Sequence, residues 1–160
     1  MAVALMDFKR QDKISADWLL NCQEYRNQYL VEQESYSELS ATTYSGMPHG
    51  SGIGKPAENK AITLTDLEIK RLWIITIENA ESTLSNKKKA FLEFRRRAEI
   101  IENAKEVGRP GWVDYVQVRY ADWHEKEYGK TCLLSKNTLH SWWNDIVDVT
   151  VRIAIKKGCF

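Results

Sequence analysis

The chain has 160 residues and a formal net charge of +1, with 43% hydrophobic and 28% charged residues. This length allows one domain with a sizeable core, or a small domain joined to an extended helical part. The balanced charge excludes a protein that binds nucleic acid through an overall basic surface, so any such signal has to be local. Net charge drifts from −2 over residues 1–60 to +2 over residues 108–160, which weakly favours an anion-binding C-terminal end.

The three cysteines, Cys22, Cys132 and Cys159, are widely spaced and odd in number. This pattern indicates neither a disulfide framework nor a zinc site, and it fits a reducing compartment. No apolar run approaches the roughly 20 residues that span a bilayer, and the chain reaches its first acidic residue too early for a signal peptide. We therefore expect a cytoplasmic protein with no membrane partner.

The first segment, residues 1–60, is predicted to hold one helix and an irregular stretch. Asp17 can cap a helix that runs to about Leu39, and residues 1–15 form either a short helix or an arm. The helix carries a partly aromatic stripe at helical spacing, made of Trp18, Cys22, Tyr25, Tyr29, Gln33 and Tyr36. We interpret this stripe as packing surface rather than as a platform for stacked bases.

Residues 40–60 contain two prolines and four glycines, which predict a flexible linker or an ordered loop. The run from Gly50 to Lys55 suggests a phosphate-binding loop at first sight. The spacing is wrong, because His49 stands where the first Gly is needed and Pro56 replaces the Ser or Thr. We therefore do not expect a nucleotide cofactor.

The second segment, residues 61–107, is predicted to be two helices. An apolar helix covers 63–82, with Thr63 or Thr65 as its cap and Glu68 completing a capping box with Thr65. After a break at 82–86, a second helix runs to about 105, and we expect self-association along this segment. Its apolar face is formed by Phe91, Phe94, Ala98 and Ile101.

Two triplets of cations lie about two turns apart on this second helix and could follow a phosphate backbone. Acidic residues stand among them at helical spacing, so a solvated, ion-paired face is the favoured interpretation. The candidate phosphate contacts are Lys87, Lys88, Lys89, Arg95, Arg96, Arg97 and, further along the chain, Lys130.

The third segment, residues 108–160, is predicted to contain three helices, at 111–120, 123–132 and 135–157. Asp122 and Glu125 resemble a capping box that opens the middle one. The last helix is longer than DNA recognition requires, so its far end should pack on the N-terminal helices or on a second subunit. The predicted fold is all-α, with N-terminal helices and a long helical segment joined to a C-terminal trihelical helix-turn-helix domain.

The stretch from 128 to 142 carries the helix-turn-helix signal. Gly129 provides a small residue where two helices cross, and Ser135 can cap the following helix. Leu133 stands where many such turns have Gly, so the turn should be wider than usual. With the apolar side inward, the residues on the outer face are Lys136, Asn137, His140, Ser141 and Asn144. Their side chains suit base edges and phosphates, although an ordinary helical hairpin is the alternative.

Several short motifs in this segment carry a resemblance to a known family. They are Val118-Arg119-Tyr120, Tyr128-Gly129, Leu134-Ser135, Thr138-Leu139 and Trp142. The C-terminal fifty residues resemble the sigma-region-4-like domains of phage regulators, in particular the RinA/ArpU group of late-gene regulators. The resemblance implies a sequence-specific activator that binds double-stranded DNA and acts with host RNA polymerase in the host cytoplasm. It carries over Lys136, Asn137, His140 and Ser141 as recognition positions.

Parts of this sequence also bear on three other function classes. The histidines lie in different segments, and no Ser or Cys has a neighbour that would activate it, so we expect neither an enzyme nor a metal site. A phage DNA-packaging protein of the small-terminase type also combines helix-turn-helix and oligomerising helices. Stoichiometry separates the two, since packaging needs a closed ring of many subunits. A purely structural helical interaction module is the remaining alternative.

Overall fold

The computed structural model describes the backbone of residues 2–42, 55–103 and 111–160, and the side chains of 7–38, 61–101 and 111–160. These residues form five α-helices and no strand, which confirms the predicted all-α class. The helices are α1 (Ala2–Thr42), α2 (Lys55–Thr83), α3 (Asn86–Asn103), α4 (Trp112–Tyr128) and α5 (Lys136–Lys157). Residues 43–54, which belong to the predicted linker or loop, and the predicted boundary at 108–110 lie outside the described residues.

The helix starts predicted at Asp17 and at Thr63 or Thr65 are wrong, because α1 and α2 run through these positions. The Asp17 carboxylate accepts hydrogen bonds from Asn21 Nδ2, at 2.9 Å, and from the Tyr25 hydroxyl. Thr65 Oγ1 donates to the Ala61 carbonyl at 3.0 Å. These capping-type side chains therefore form bonds inside a helix, where sequence alone cannot distinguish them from true caps.

The predicted break between α2 and α3 is confirmed, with Leu84 and Ser85 outside both helices. Thr83 Oγ1 donates to the Ala80 carbonyl at 2.7 Å at the end of α2. Ser85 Oγ accepts from the backbone N–H of Lys88 at 3.4 Å at the start of α3. Hydroxyl side chains thus satisfy backbone groups on both sides of the break.

One hydrophobic core draws on all five helices, so the described parts of the three predicted segments pack together. Helix α5 packs on α1 and α2. Just beyond its end, Phe160 meets Trp73 of α2 edge to face, so the far end packs on a preceding helix of the same chain, one of the two predicted alternatives. The buried core residues are Leu19 of α1; Ile77 of α2; Phe91, Leu92 and Ala98 of α3; Val116 and Tyr120 of α4; and Leu139, Ile146, Val147 and Val151 of α5.

The two predicted helices at 111–120 and 123–132 form a single helix, α4, so Asp122 and Glu125 do not open a new one. The physical reason is a continuous inward stripe. Val116, Tyr120 and His124 recur every fourth residue and are all buried, so the apolar face passes through residue 122 without interruption. The predicted separate middle helix at 123–132 is therefore wrong, and one longer helix, α4, takes the place of the first two predicted helices.

A kink in α1 at Asn21, with φ −107° and ψ 17°, lies two residues after a contact with Arg96. Arg96 Nε donates to the Leu19 carbonyl at 2.6 Å, and its guanidinium also forms an ion pair with Glu81 of α2. A side chain that binds a helix carbonyl is a recognised cause of helix bending. Arg96 thus joins α1, α2 and α3, and these bonds engage the guanidinium of this candidate phosphate contact, in line with the ion-paired interpretation.

Gly129 ends α4 in a left-handed conformation, with φ +68°, and its N–H donates to the Glu125 carbonyl at 2.8 Å. A Cβ built on Gly129 would have no atom within 4 Å. The predicted reason for this glycine, a close crossing of two helices, is therefore wrong. The glycine is needed for its positive φ.

We expect Gly129→Ala to lower the free energy of unfolding by about 1 kcal/mol, because the strain is confined to the backbone. Denaturant titration would measure the change. Gly111→Ala is the matched control, since Gly111 has an ordinary φ of −57° and equally open surroundings. An equal loss in both variants would contradict the explanation from positive φ.

Candidate nucleic-acid interface

Seven residues, 129–135, connect α4 to α5, so the connection is wider than a tight turn, as the sequence predicted. Two side chains of α4 hold it in place. Gln117 Nε2 donates to the Leu134 carbonyl at 2.6 Å, and His124 Nδ1 lies 2.7 Å from the Lys130 carbonyl. Leu133 remains 70% exposed. Cys132 and Leu134 pack against the core, so hydrogen bonds with α4 and partial burial of these two side chains together hold the connection.

Ser135 caps α5, as predicted. Its Oγ accepts from the Thr138 backbone N–H at 3.1 Å and lies 2.8 Å from the Thr138 hydroxyl. The Leu139 N–H donates to the Ser135 carbonyl at 3.1 Å, which is the first bond of the helix. The cap fixes the first residue of α5 and with it the direction in which each later side chain points.

All five predicted recognition residues are exposed to solvent. We call Lys136, Asn137, His140, Ser141 and Asn144 the outer face of α5. On the other side of the helix, Leu139 is fully buried and Trp142 and Trp143 are partly buried. The structure thus places the five residues together, on one side of the capped end of α5.

The outer face has few partners within the chain. Lys136 Nζ lies 2.7 Å from Asp114 Oδ1, and both side chains are about half exposed. The His140 ring meets the edge of Trp112, with 5.2 Å between centroids and 80° between planes. Asn137 and Ser141 have no side-chain partner within the described parts of the chain. These two side chains are therefore available to a ligand without loss of an internal bond.

Aromatic packing holds this end of α5 from behind. Trp142 meets Phe91 of α3 and Tyr120 of α4 edge to face, at centroid distances of 5.8 and 5.7 Å. Burial raises the pKa of the Tyr120 hydroxyl to about 12, with smaller contributions from Cys132 and Tyr128. Tyr120 is neutral at physiological pH with or without this shift, so its burial carries no cost of an uncompensated charge.

Arg95 is buried, with 7% of its surface exposed, and its predicted role as a phosphate contact is wrong. Its guanidinium lies 4.6 Å from the ring centre of Trp112 and 5.1 Å from that of Trp143. Glu99 accepts a hydrogen bond from Arg95 Nη1 at 2.7 Å. A buried cation between two indoles therefore links α3 to the first turns of α4 and α5.

The remaining candidate cations do not form one continuous run. Lys88 Nζ lies 3.0 Å from Asp145 Oδ2, and Arg97 pairs with Glu93. Lys87 lies over the Tyr128 ring, at 5.5 Å from its centre, near the C-terminal end of α4. Lys89 and Lys130 are exposed. The triplets seen in the sequence are thus divided between buried, ion-paired and solvent-facing positions.

Within the described parts of the chain, no group of three or more His, Cys, Asp or Glu could hold a metal ion. Nor is any described helix long and apolar enough to cross a membrane. A scan of protein-family models and searches of curated proteins and solved structures found no match to this chain.

Proposed function

We propose that this chain binds double-stranded DNA with the outer face of α5 and thereby regulates transcription. The observation that carries the proposal is the exposure of all five polar residues of that face while Leu139 behind them is buried. A helix whose first two turns are polar, exposed and supported from behind can enter a major groove.

The chemistry of the outer face suits both base edges and phosphates. The Asn137 side-chain amide can donate one hydrogen bond and accept another at the same time. This complements adenine, which presents an acceptor at N7 and a donor at its 6-amino group in the major groove. His140 and Ser141 lie one turn further along and can form hydrogen bonds with neighbouring groups. The first turn of α5 carries no acidic residue, so the positive end of the helix dipole is not neutralised there.

Two carboxylates stand close to this face, and both are paired. Asp114 pairs with Lys136, and Asp145 pairs with Lys88 of α3. An ion pair between such exposed side chains contributes about 1 kcal/mol or less, so Lys136 can exchange Asp114 for a phosphate at small cost. The pairing also means that DNA binding should depend on salt less steeply than in strongly basic proteins.

The resemblance to sigma-region-4-like phage regulators supports a more specific form of this proposal. In that form the protein activates late genes together with host RNA polymerase. The outer face of α5 supports DNA binding only; the activation of late genes and the contact with RNA polymerase rest on the resemblance.

The proposal predicts a specific loss when the outer face is changed. Asn137→Ala and His140→Ala should each weaken binding to a selected duplex by about 1–3 kcal/mol and change binding to random DNA little. Selection of bound duplexes from a random pool would supply the target, and fluorescence anisotropy would measure each affinity. Asn27→Ala is a matched control, because Asn27 is exposed on α1, away from the outer face.

Equal losses on selected and random DNA would mean that these residues contact phosphates only. Failure of the selection to enrich any sequence would contradict the proposal itself. The variants should fold normally, because both side chains are exposed.

A further inference from the structure

A groove between α3 and α4 combines cations with aromatic rings. We call it the basic groove; it is an open cavity of about 440 Å³. Its lining includes Phe94, Arg97, Tyr115, Arg119, Trp123 and Lys126. Among the described residues that line it, Asp122 is the only acidic one. The groove therefore offers a positive, partly apolar surface that none of the functions above uses.

The cations of the groove are largely unneutralised. Arg119 lies over the Tyr115 ring, 5.6 Å from its centre, and neither Arg119 nor Lys126 has an ion-pair partner within the described parts of the chain. Arg97 pairs with the exposed Glu93. Such a surface attracts a ligand that carries both carboxylates and apolar groups.

The second half of α1 carries the opposite chemistry. The sequence has no Lys or Arg between Arg26 and Lys55, while acidic residues occur within that stretch. Leu30 is 53% exposed and Val31 is 63% exposed, and Glu34 is exposed beside them. Spacings of three and four residues place all three on one side of the helix. We call Leu30, Val31 and Glu34 the acidic strip.

The strip and the groove do not cover each other within one chain, since the strip and Arg119 are both exposed to solvent. The spacings along the two surfaces agree. Leu30 precedes Glu34 by one helical turn, and Trp123 follows Arg119 by one turn. A helix that docks in the antiparallel direction can place an aliphatic side chain on the indole and a carboxylate beside the guanidinium.

We propose that the acidic strip of one copy of this chain docks into the basic groove of a second copy. The contact is head-to-tail, because two different surfaces meet, and such contacts build either closed rings or open chains. It places self-association on α1, α3 and α4, of which only α3 belongs to the segment 61–107 that the sequence indicated. The contact does not depend on whether the outer face of α5 binds DNA.

Two variants that each remove one surface provide the test. The groove variant carries Arg119→Glu with Lys126→Glu, and the strip variant carries Leu30→Lys with Glu34→Lys. All four positions are exposed, so both variants should fold, and circular dichroism would verify this. Lys156→Glu with Lys157→Glu is the matched control for the groove variant, since it makes the same charge change as that variant at exposed positions in the last turn of α5.

In sedimentation velocity over a range of concentrations, the wild-type chain and the control should associate beyond the dimer. Each variant alone should associate at least about tenfold more weakly, because like charges then face each other. An equimolar mixture of the two variants should regain association, because the unaltered strip of the groove variant meets the unaltered groove of the strip variant. At the open ends of each mixed pair, the introduced glutamates of one variant face the introduced lysines of the other, so these ends do not repel each other.

Three outcomes would overturn the proposal. The first is a wild-type chain that stays monomeric throughout. The second is a mixture of the two variants that behaves like either variant alone. The third is a groove variant that associates normally but loses affinity for random-sequence duplex DNA, which would assign the groove to nucleic acid. Loss of DNA binding in outer-face variants with unchanged association would leave this proposal intact.

Discussion

Phe91→Ala should lower the free energy of unfolding by about 3–5 kcal/mol, the largest effect expected in this chain. Phe91 is fully buried and meets Trp142 edge to face. Truncation removes apolar contacts and leaves a cavity where α3 supports the first turns of α5. Denaturant titration followed by tryptophan fluorescence would measure the loss.

Phe8→Ala is the control for this change, because Phe8 lies on α1 with 61% of its surface exposed. Its loss should stay within about 0.5 kcal/mol. A small effect of Phe91→Ala, comparable with that of Phe8→Ala, would mean that the packing behind the outer face of α5 is not as described.

Arg95→Met should cost about 2–4 kcal/mol, although methionine has a similar length and an apolar side chain. The guanidinium stacks between Trp112 and Trp143, and Glu99 would lose its partner while remaining largely buried. Arg95 Nε has no hydrogen-bond partner among the described residues, so stacking and the ion pair supply the stabilisation. Thermal or denaturant unfolding would measure the change.

Arg97→Met is the matched control, since Arg97 also pairs with a glutamate one turn away but is exposed. Exposed pairs at this spacing contribute about 0.3–0.5 kcal/mol, so a large difference between the two variants is expected. Arg95→Lys should be intermediate, because lysine keeps the charge and loses the planar stacking surface. Equal effects of Arg95→Met and Arg97→Met would contradict the role of the two indoles.

Local sequence signals predicted those parts of the structure that depend on helical period and on capping. The outer face of α5 follows from Ser135 as the cap and from the burial of Leu139, both visible in the sequence. The break between α2 and α3 was predicted because Ser82–Asn86 combines poor helix formers. These features depend on neighbouring residues only.

Features that depend on contacts between helices could not be predicted from the same patterns. In the sequence, Arg95 and Arg96 look like part of a solvent-exposed run of charges. In the structure, the indoles of Trp112 and Trp143 cover Arg95. Arg96 instead binds the Glu81 carboxylate and the Leu19 carbonyl. Asp17, Thr65 and Asp122 have the residue types of caps but lie inside helices. Their surroundings are decided by packing partners that are distant in sequence.

The two proposals together bear on the choice between transcription regulation and DNA packaging. If the head-to-tail contact closes into a ring of many subunits, a packaging protein becomes the favoured function. If association stops at small open assemblies on a selected duplex, regulation is favoured. Sizing of the complex on DNA would distinguish the two.

The outer face and the anchored half of α5 belong to one unbroken helix of 22 residues. Such a helix is about 33 Å long, so tilting its C-terminal end by about 5° displaces its capped end by about 3 Å. A partner that shifts α1 and α2 would therefore also move Asn137 and His140 relative to the major groove of a bound DNA duplex. A displacement of about 3 Å equals the length of a hydrogen bond, so such a shift would change which groups these two side chains can reach.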